Sequence, residues 1–354
     1  MSTPSLQPPA SSSSKQPQKP KPLWRRRLLR AFLIYAVMPY AVITLLAFVF
    51  QRQLMYHPGR VDSLSVASVG LNTDTSEDVT IQTSDGETLK GWLLKYRKAA
   101  PDVSAATSAT ESQPPGQEPD QSGAAAVDSS QAAKPADESA NRVLVIYFPG
   151  NAQNRFQRLA DLKEIQSCGA DVLIFDYRGF GDSTGSPTES DMEADARAVW
   201  KFAHDELGFA DDQIILFGES LGGAVSLSLW SGDLSPAPKP RAVILNSTFA
   251  SMPRMAAVTY PWFPFRWMVL DRWPSFERIA NVTCPIIQFH GDSDELVPLS
   301  EAEFLQSCAK AETRFEVIKG GSHNGLPSLP LRRQLKRIIT GQDPDADRKS
   351  FLIP

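Results

Sequence analysis

The chain has 354 residues, 42% of them hydrophobic, which is enough to bury the core of one large domain or two small ones. Its formal net charge of −4 argues against a general electrostatic affinity for nucleic acid. The three cysteines and four histidines show neither metal-ligand spacing nor a disulfide framework, so we expect no metal site and no cofactor.

Positive charge is concentrated at the N-terminus, and an uncharged segment follows it. Residues 1–30 contain seven Lys or Arg and no acidic residue, and most are Ser, Pro, Gln or Lys, which predicts a disordered basic tail. Residues 31–50, AFLIYAVMPYAVITLLAFVF, contain no charged residue. Their length matches a bilayer core of ~30 Å at ~1.5 Å per residue, whereas a globular helix of that length has a polar face. We therefore predict a transmembrane signal anchor over 31–50.

The distribution of basic residues predicts the orientation of this anchor. The basic cluster precedes the span, and only Arg52 and Arg60 lie soon after it. We expect a cytoplasmic N-terminus and place everything after residue 51 on the extracytoplasmic side, periplasmic or lumenal. A cleaved signal peptide is the alternative, but the apolar run exceeds the usual ~7–15 residues and no small-x-small cleavage site follows it.

Two segments of different character come next. Residues 78–98 predict a β-hairpin, because Asp85 and Gly86 form a turn signal between two strand-like runs. Residues 99–141 contain Ala, Ser, Pro, Gln and acidic residues but no aromatic residue. Such a segment cannot bury enough apolar surface to offset its ordering entropy. We predict that it is a disordered insertion in a surface loop.

From residue 142 onward, apolar strands alternate with helical stretches, which predicts a mainly parallel sheet with helices on both faces and the hairpin at one edge. Residues 249–274 interrupt the alternation with seven aromatic residues and four prolines, and they predict a small cap over the sheet. We assign residues 51–342 to this α/β domain and 343–354 to a C-terminal tail. The predicted strands lie at 142–148, 171–177, 213–217, 241–246, 285–290 and 314–318.

The stretch FGESLGGAV, residues 217–225, carries the strongest chemical signal. An apolar strand ends at Phe217 and a helix begins at Leu221, so Ser220 lies at the apex of a sharp turn between two glycines. A G-x-S-x-G sequence in this setting holds the serine in a strained conformation and exposes its hydroxyl above the sheet. We therefore predict that Ser220 is a catalytic nucleophile.

A nucleophilic serine needs a base, and the base needs a carboxylate to hold its tautomer. On such a sheet the expected chain order is Ser, acid, His. His323 lies on a loop after the last strand, whereas His290 ends an apolar strand, so we predict that His323 is the base and that His290 is structural. In FHGDSDELVP, Asp294 is the better placed acid, while Asp292 is predicted to cap main-chain amides.

The reaction also needs two main-chain amides directed at the oxyanion. We predict the amide of Leu221, at the N-terminus of the helix, and the amide of Asn151 or Ala152, in the turn FPGNAQN. Residues 176–186, DYRGFGDSTGS, are also rich in glycine. Their spacing is not the dinucleotide-binding fingerprint and no helix starts inside them, so a tight structural turn is predicted.

The aromatic cap supports two hypotheses about the substrate. Trp262, Phe263 and Trp267 are predicted to line or roof an acyl pocket. Alternatively, some of these rings contact lipid and admit an acyl chain from the membrane, because Trp and Tyr are favoured at membrane interfaces.

The segments YFPGNAQN, DYRGFGDSTGSPTE, LFGESLGGA, HGDSDELVP and GGSHN occur in the order seen in α/β-hydrolase-fold serine hydrolases. Over residues 51–340 the chain resembles the single-pass, membrane-anchored α/β-hydrolase-domain proteins. The resemblance implies an eight-stranded fold and carries Ser220, Asp294 and His323 over as the triad. The chain departs from the family at Pro149, where a histidine is usual, and in the long insertion.

The family includes esterases and thioesterases, so the predicted function is a membrane-anchored serine hydrolase of carboxylic ester or thioester bonds. Its substrate would be a lipid-like acyl compound or an acylated protein. An amide or peptide hydrolase on the same fold is the alternative, because the superfamily has an aminopeptidase branch. A non-catalytic interaction protein is a further alternative, disfavoured by the intact triad spacing.

Overall fold

Residues 23–97, 142–325 and 327–341 are described by the computed structural model of this chain. The chain divides into two compact units, Met1–Val49 and Phe50–Pro354. The insertion predicted at 99–141 and the tail predicted at 343–354 lie outside the described residues, as do residues 1–22 of the predicted basic tail.

The described part of the first unit is helical throughout. It consists of α1 (Leu23–Phe32), a π-helical turn (Leu33–Val37) and α2 (Met38–Val49). The stretch Trp24–Val49, 26 residues, is long and apolar enough to cross a membrane. The prediction that residues 23–30 are disordered is wrong, because Leu and Arg favour helix and long arginine side chains can keep their charge in water beside an apolar segment.

Pro39 explains the π-helical turn that precedes it. Proline has no amide hydrogen for the helical ladder, and its ring collides with the carbonyl four residues earlier. The widened turn Leu33–Val37 comes directly before Met38 and Pro39. Such a turn is one of the recognised ways in which a long helix accommodates a proline without ending.

The second unit is built on an eight-stranded sheet, with strand order β10-β9-β8-β7-β4-β6-β3-β2, and a separate parallel pair, β1-β5. Among the described strands of the large sheet, only the pairs β2–β3 and β3–β6 are antiparallel, so the predicted parallel sheet with an edge hairpin is confirmed. The strands are β1 (His57–Pro58), β2 (Ser76–Gln82), β3 (Thr88–Leu94), β4 (Leu144–Phe148), β5 (Ala152–Gln153), β6 (Asp171–Phe175), β7 (Ile214–Glu219), β8 (Ala242–Asn246), β9 (Ile286–Gly291) and β10 (Thr313–Ile318).

Helices cover both faces of this sheet because its central strands are apolar on both sides. Ile146 of β4 packs in one core cluster with residues of α5, α6 and α10, and Val145 packs in a second cluster with residues of α4 and α11. Successive strand residues point to opposite faces, which separates the two clusters. The helices are α3 (Gln51–Met55), α4 (Leu159–Gln166), α5 (Glu189–Asp205), α6 (Leu221–Leu227), α7 (Met252–Thr259), α8 (Phe265–Met268), α9 (Ser275–Ile279), α10 (Leu299–Cys308) and α11 (Ser328–Thr340).

Replacing residues 99–141 by a six-residue Gly/Ser linker is expected to leave the fold and the predicted hydrolytic activity intact. Leu94 and Val145, which flank this connection, both pair with Val172 from opposite sides, so they are about 10 Å apart. Six residues reach about 20 Å, and shortening the segment from 43 to six residues lowers the entropic free-energy cost of closing the loop by about 1.7 kcal/mol. Thermal unfolding and ester hydrolysis of the full chain test this. A loss of folded protein or activity would mean that the segment contributes contacts of its own.

Candidate active site

A strained turn joins β7 to α6 and places Ser220 above the C-terminal edge of the sheet. Ser220 has φ 52° and ψ −115°, in a region that residues with a Cβ seldom occupy. Its amide donates to the carbonyl of Asn246 at the end of β8, at 2.8 Å. The strained serine turn predicted from G-x-S-x-G is therefore present.

Two glycines let the neighbouring strand ends approach this turn. A Cβ on Gly222 would lie 1.9 Å from the carbonyl oxygen of Phe148, at the end of β4. A Cβ on Gly223 would lie 2.0 Å from Oγ1 of Thr248, which follows β8. The N-terminal turn of α6 therefore packs between the ends of β4 and β8, and the main chain at Gly222 and Gly223 approaches them so closely that only glycine fits.

Gly222→Ala is expected to destabilise the folded chain by about 3 kcal/mol, because the new methyl group must displace main chain rather than a flexible side chain. Gly150→Ala is the matched control, since its Cβ would lie no closer than 3.5 Å to a neighbouring atom. Thermal unfolding of the full chain in detergent compares the two. If both variants unfold at the same temperature as the parent, the close contact between α6 and β4 is absent in solution.

The structure brings the three predicted side chains into one hydrogen-bonded row. His323 Nε2 lies 3.1 Å from Ser220 Oγ. On the other side of the ring, His323 Nδ1 lies 2.8 Å from Asp294 Oδ2 and 3.1 Å from Oδ1. The Asp294 side chain is fully buried, while that of His323 retains slight exposure. The arrangement orients the imidazole so that Nε2 faces the serine hydroxyl.

The loops after β9 and β10 are bound to each other, and this contact places Asp294 beside His323. A Cβ on Gly291 would lie 2.0 Å from the carbonyl oxygen of Gly321, so the two loops meet through glycine. The amide of Ser293 donates to the Gly321 carbonyl at 3.0 Å. Asp292 Oδ1 accepts from the amide of Gly320 at 2.6 Å. The structure thus gives Asp292 the amide-capping contact predicted for it and gives the histidine contact to Asp294.

Asp294 is held as a carboxylate by its hydrogen bonds. Burial raises the pKa of this carboxyl, but the hydrogen bonds from His323 and from the amides of Val297 and Leu296 outweigh burial, so the pKa lies below its usual value. A charged Asp294 at neutral pH is what orients the Nδ1–H of His323 and leaves Nε2 free to accept a proton.

His290 is a neighbour of this row that the sequence assigned only a structural role. Its buried Nε2 lies 2.8 Å from the carbonyl oxygen of Val297 and 3.4 Å from Asp294 Oδ2. Burial lowers the pKa of His290, which favours a neutral ring. A neutral ring that donates from Nε2 packs against the loop that carries Asp294. Its position at the end of β9, four residues before Asp294, is the sequence feature that could have indicated this contact with the loop of Asp294.

The predicted oxyanion loop follows β4 and is hydrogen-bonded to Met55, the last residue of α3, and to His57. The amide of His57 donates to the Asn151 carbonyl at 2.9 Å, and the Asn151 side chain donates to the Met55 carbonyl at 2.8 Å. The hydroxyl of Tyr177 donates to the Pro149 carbonyl at 2.9 Å. The amide of Leu221 belongs to the first turn of α6, where no intrahelical acceptor exists.

A polar cavity of about 330 Å³ adjoins the serine turn. Glu219, the residue before Ser220, accepts two hydrogen bonds from Arg158, at 2.6 and 2.9 Å, and one from Tyr147, at 2.8 Å. The cavity is bordered by the loops that carry Asn151 and His323 and by the ends of β7 and β8; its lining residues are Tyr147, Ala152, Gln153, Arg158, Asp161, Glu219, Asn246, Asn324 and Gly325. Within the described residues no group of three or more His, Cys, Asp or Glu could hold a metal ion.

The three aromatic residues predicted to form an acyl pocket do not line this cavity. Trp262 and Trp267 are 86% and 73% exposed, and Phe263 is half-buried in a stacked pair with Phe265, with ring centroids 4.9 Å apart. The cap also buries two of its rings, Phe249 and Trp273, against the sheet domain. The pocket role of Trp262, Phe263 and Trp267 stays a prediction, and the exposure of the two indoles favours the alternative in which they meet lipid.

Comparison with known proteins agrees with this architecture. A family profile described as the alpha/beta hydrolase fold matches residues 143–281. The uncharacterized protein MT2364 of Mycobacterium tuberculosis (strain CDC 1551 / Oshkosh) is 33% identical over 316 residues, covering 89% of this chain and 95% of that protein. The lysophosphatidylserine lipase ABHD12 of Macaca fascicularis is 31% identical over 196 residues, covering 51% of this chain and 49% of the lipase.

A solved structure, the Pyrococcus furiosus esterase Pf2001, matches with a TM-score of 0.54 at 16% identity, covering 82% of this chain and 98% of the esterase. At this identity the likeness concerns the fold alone. Three observations indicate the same family: the eight-stranded sheet, the strained serine turn at the end of β7 and the sequence relatives. The chain belongs to the α/β-hydrolase family.

Proposed function

We propose that this protein is a serine hydrolase that cleaves carboxylic ester or thioester bonds through an acyl-enzyme on Ser220. The observation that carries the proposal is the row of hydrogen-bonding contacts from Ser220 Oγ through His323 to Asp294, built on a strained turn. A serine that served only as a turn residue would need neither a buried carboxylate behind a histidine nor a strained backbone.

Each step follows from these positions. Ser220 Oγ attacks the acyl carbon while His323 Nε2 accepts its proton, and Asp294 stabilises the imidazolium that forms. The amides of Leu221 and of Asn151 or Ala152 donate to the oxyanion. The bond to the alcohol or thiol then breaks, and the leaving group takes the proton from Nε2. A water molecule, deprotonated by the same nitrogen, releases the acid and restores Ser220.

The substrate class is supported by the polar cavity and by the relatives. Charged and amide groups beside Ser220 suit the polar part of an amphiphile, while an acyl chain must find apolar surface elsewhere. One relative is named a lysophosphatidylserine lipase, although it matches over about half of its length. We assign this protein a lipid-like acyl ester as substrate, with an acylated protein as the second candidate.

The apolar helix Trp24–Val49 supports a single-pass membrane anchor for this hydrolase. Four arginines, at positions 25, 26, 27 and 30, lie at its N-terminal end. By the positive-inside rule we place the N-terminus in the cytoplasm and the hydrolase domain on the extracytoplasmic side.

The proposal is tested with the purified full chain and a panel of matched acyl esters, acyl thioesters and aminoacyl anilides. We expect turnover of esters or thioesters, with kcat/KM for the anilides at least about 100-fold lower, a difference of about 3 kcal/mol in transition-state stabilisation. A preference for anilides would assign the protein to the amide hydrolases. A chain that turns over no substrate and reacts with no serine-directed probe would be a non-catalytic interaction protein.

A further inference from the structure

Five apolar side chains of the cap segment 249–274 are exposed, and we call them together the cap surface. Its residues are Val258, Tyr260, Trp262, Trp267 and Leu270, and each is at least half exposed. We propose that the cap surface lies on a lipid bilayer and holds the hydrolase domain against the membrane. The inference rests on the proposed membrane anchor but not on the proposed chemistry.

The chemistry of the cap surface fits a membrane interface better than water. Tyr and Trp combine an apolar ring with a polar tip, and they are enriched where hydrocarbon meets water. The rings are also held in place. Tyr260 packs edge-on against Phe265 at 5.4 Å, and Phe263 stacks on the same ring at 4.9 Å. An apolar surface that is exposed on a firm framework is typical of an interaction site rather than of a frayed loop.

The charges around the cap surface suit an anionic bilayer. The segment 249–274 contains one acidic residue, Asp271, which is buried and paired with Arg52. Arg266 and Arg272 are exposed beside the aromatic side chains. The guanidinium of Arg266 lies 5.1 Å from the ring centre of Trp267. An exposed surface with aromatic and basic groups and no exposed carboxylate attracts lipid head groups that carry negative charge.

The C-terminal part of the cap segment, from Leu270 to Trp273, is hydrogen-bonded to the residues that immediately follow the apolar helix. The amide of Leu270 donates to Gln51 Oε1 at 2.8 Å, and the Arg52 guanidinium makes two hydrogen bonds of 3.1 Å to Asp271. The hydroxyl of Tyr56 also donates to Asp271 at 3.1 Å and accepts from the indole nitrogen of Trp273 at 3.2 Å. These polar contacts, of which the two made by Tyr56 are buried, fasten α3 and the residue after it to the cap within the second unit.

The short connection between the apolar helix and α3 indicates that a bilayer covers the cap surface. The apolar helix ends at Val49, and only Phe50 separates it from Gln51. Two residues of extended chain reach at most about 7 Å. If the helix spans a membrane, its last turn lies at the membrane surface, and the cap segment bound to Gln51 and Arg52 must lie close to the same surface.

The test uses the full chain, one molecule per nanodisc, in phosphatidylcholine and phosphatidylglycerol with or without dibrominated acyl chains. Bromine quenches indole fluorescence only at close range. We expect brominated lipid to quench a smaller fraction of the emission of Trp262→Phe/Trp267→Phe than of the parent chain. Trp230→Phe, which removes a buried indole, serves as the control and is expected to keep at least the parent's quenched fraction. If the double variant is quenched as strongly as the parent, the cap surface faces water, a protein or a second copy, and the proposal is wrong.

A second measurement separates this inference from the proposed function. With Trp262→Ser/Trp267→Ser we expect hydrolysis of a long-chain ester embedded in vesicles to fall about tenfold, because membrane affinity scales with buried apolar area. Hydrolysis of a short soluble ester should stay within about twofold. Equal loss on both substrates would place the indoles in the pocket or the core and overturn the proposal. An inactive protein that is nevertheless quenched through Trp262 and Trp267 would refute the hydrolase function and support the membrane contact.

Discussion

Ser220→Ala is expected to abolish covalent labelling by a fluorophosphonate probe and to lower kcat for ester hydrolysis by at least about 10⁴-fold. The probe phosphonylates an activated serine with loss of fluoride, and the Oγ of Ser220 is the hydroxyl that lies 3.1 Å from His323 Nε2. Activity that remains would come from the oxyanion amides and from substrate binding, which do not need the nucleophile. The measurement is in-gel fluorescence of the labelled chain together with steady-state kinetics.

Ser226→Ala is the matched control for this variant. Ser226 lies in α6 after the nucleophile, is buried, and donates to the carbonyl of Gly223 at 2.8 Å. Its loss removes a hydroxyl without touching the row from Ser220 to Asp294, so labelling is expected to stay. Persistent labelling of Ser220→Ala, with the thermal unfolding of the parent, would place the nucleophile elsewhere. Loss of labelling in Ser226→Ala alone would have the same meaning.

The order of motifs was sufficient to predict which residues meet. Ser220 and His323 are 103 residues apart and Asp294 is 29 residues before His323. Each follows the C-terminal end of a strand, and parallel strands bring these ends to the same edge of a sheet. The apolar runs predicted the strands because a strand buried on both faces has no polar alternation. The contact among Ser220, Asp294 and His323 was therefore predictable from local signals. Their catalytic roles stay a prediction.

Features that depend on distant pairs could not be read in this way. The clamp on the oxyanion loop joins Asn151 to Met55, across 96 residues, and the ion pair of Glu219 with Arg158 spans 61. No local pattern marks either partner. The same reason applies to the two glycines that meet between the loops after β9 and β10, where each glycine alone predicts only a turn. The prediction of disorder failed at residues 23–30 for another reason, because the Ser, Pro, Gln and Lys composition that supports it is found in residues 1–22 and not in the Leu- and Arg-rich start of α1.

Asp294→Asn is expected to lower kcat/KM by about 10⁴-fold without loss of the fold. Asparagine fills the same space and can still accept from the amides of Leu296 and Val297, which bond to Asp294 Oδ1 at 2.9 and 2.8 Å. Its amide group can also donate to Nδ1 of His323, and this contact selects the tautomer with a proton on Nε2. A protonated Nε2 cannot accept the proton of Ser220, and an uncharged side chain cannot stabilise the imidazolium.

Asp292→Asn is the matched control, because it makes the same change two residues away in the same loop. The side-chain oxygen that remains can still accept from the amide of Gly320, which lies 2.6 Å from Asp292 Oδ1, so we expect kcat/KM within about threefold of the parent. The two variants are compared by steady-state ester hydrolysis and by thermal unfolding. An active Asp294→Asn beside an inactive Asp292→Asn would transfer the acid role to Asp292. Inactivity of both, with lowered unfolding temperatures, would mean that the loop after β9 acts as one structural unit. The contacts favour Asp294 as the acid, because its two carboxylate oxygens both meet the imidazole, whereas Asp292 is bound to the main chain of the neighbouring loop.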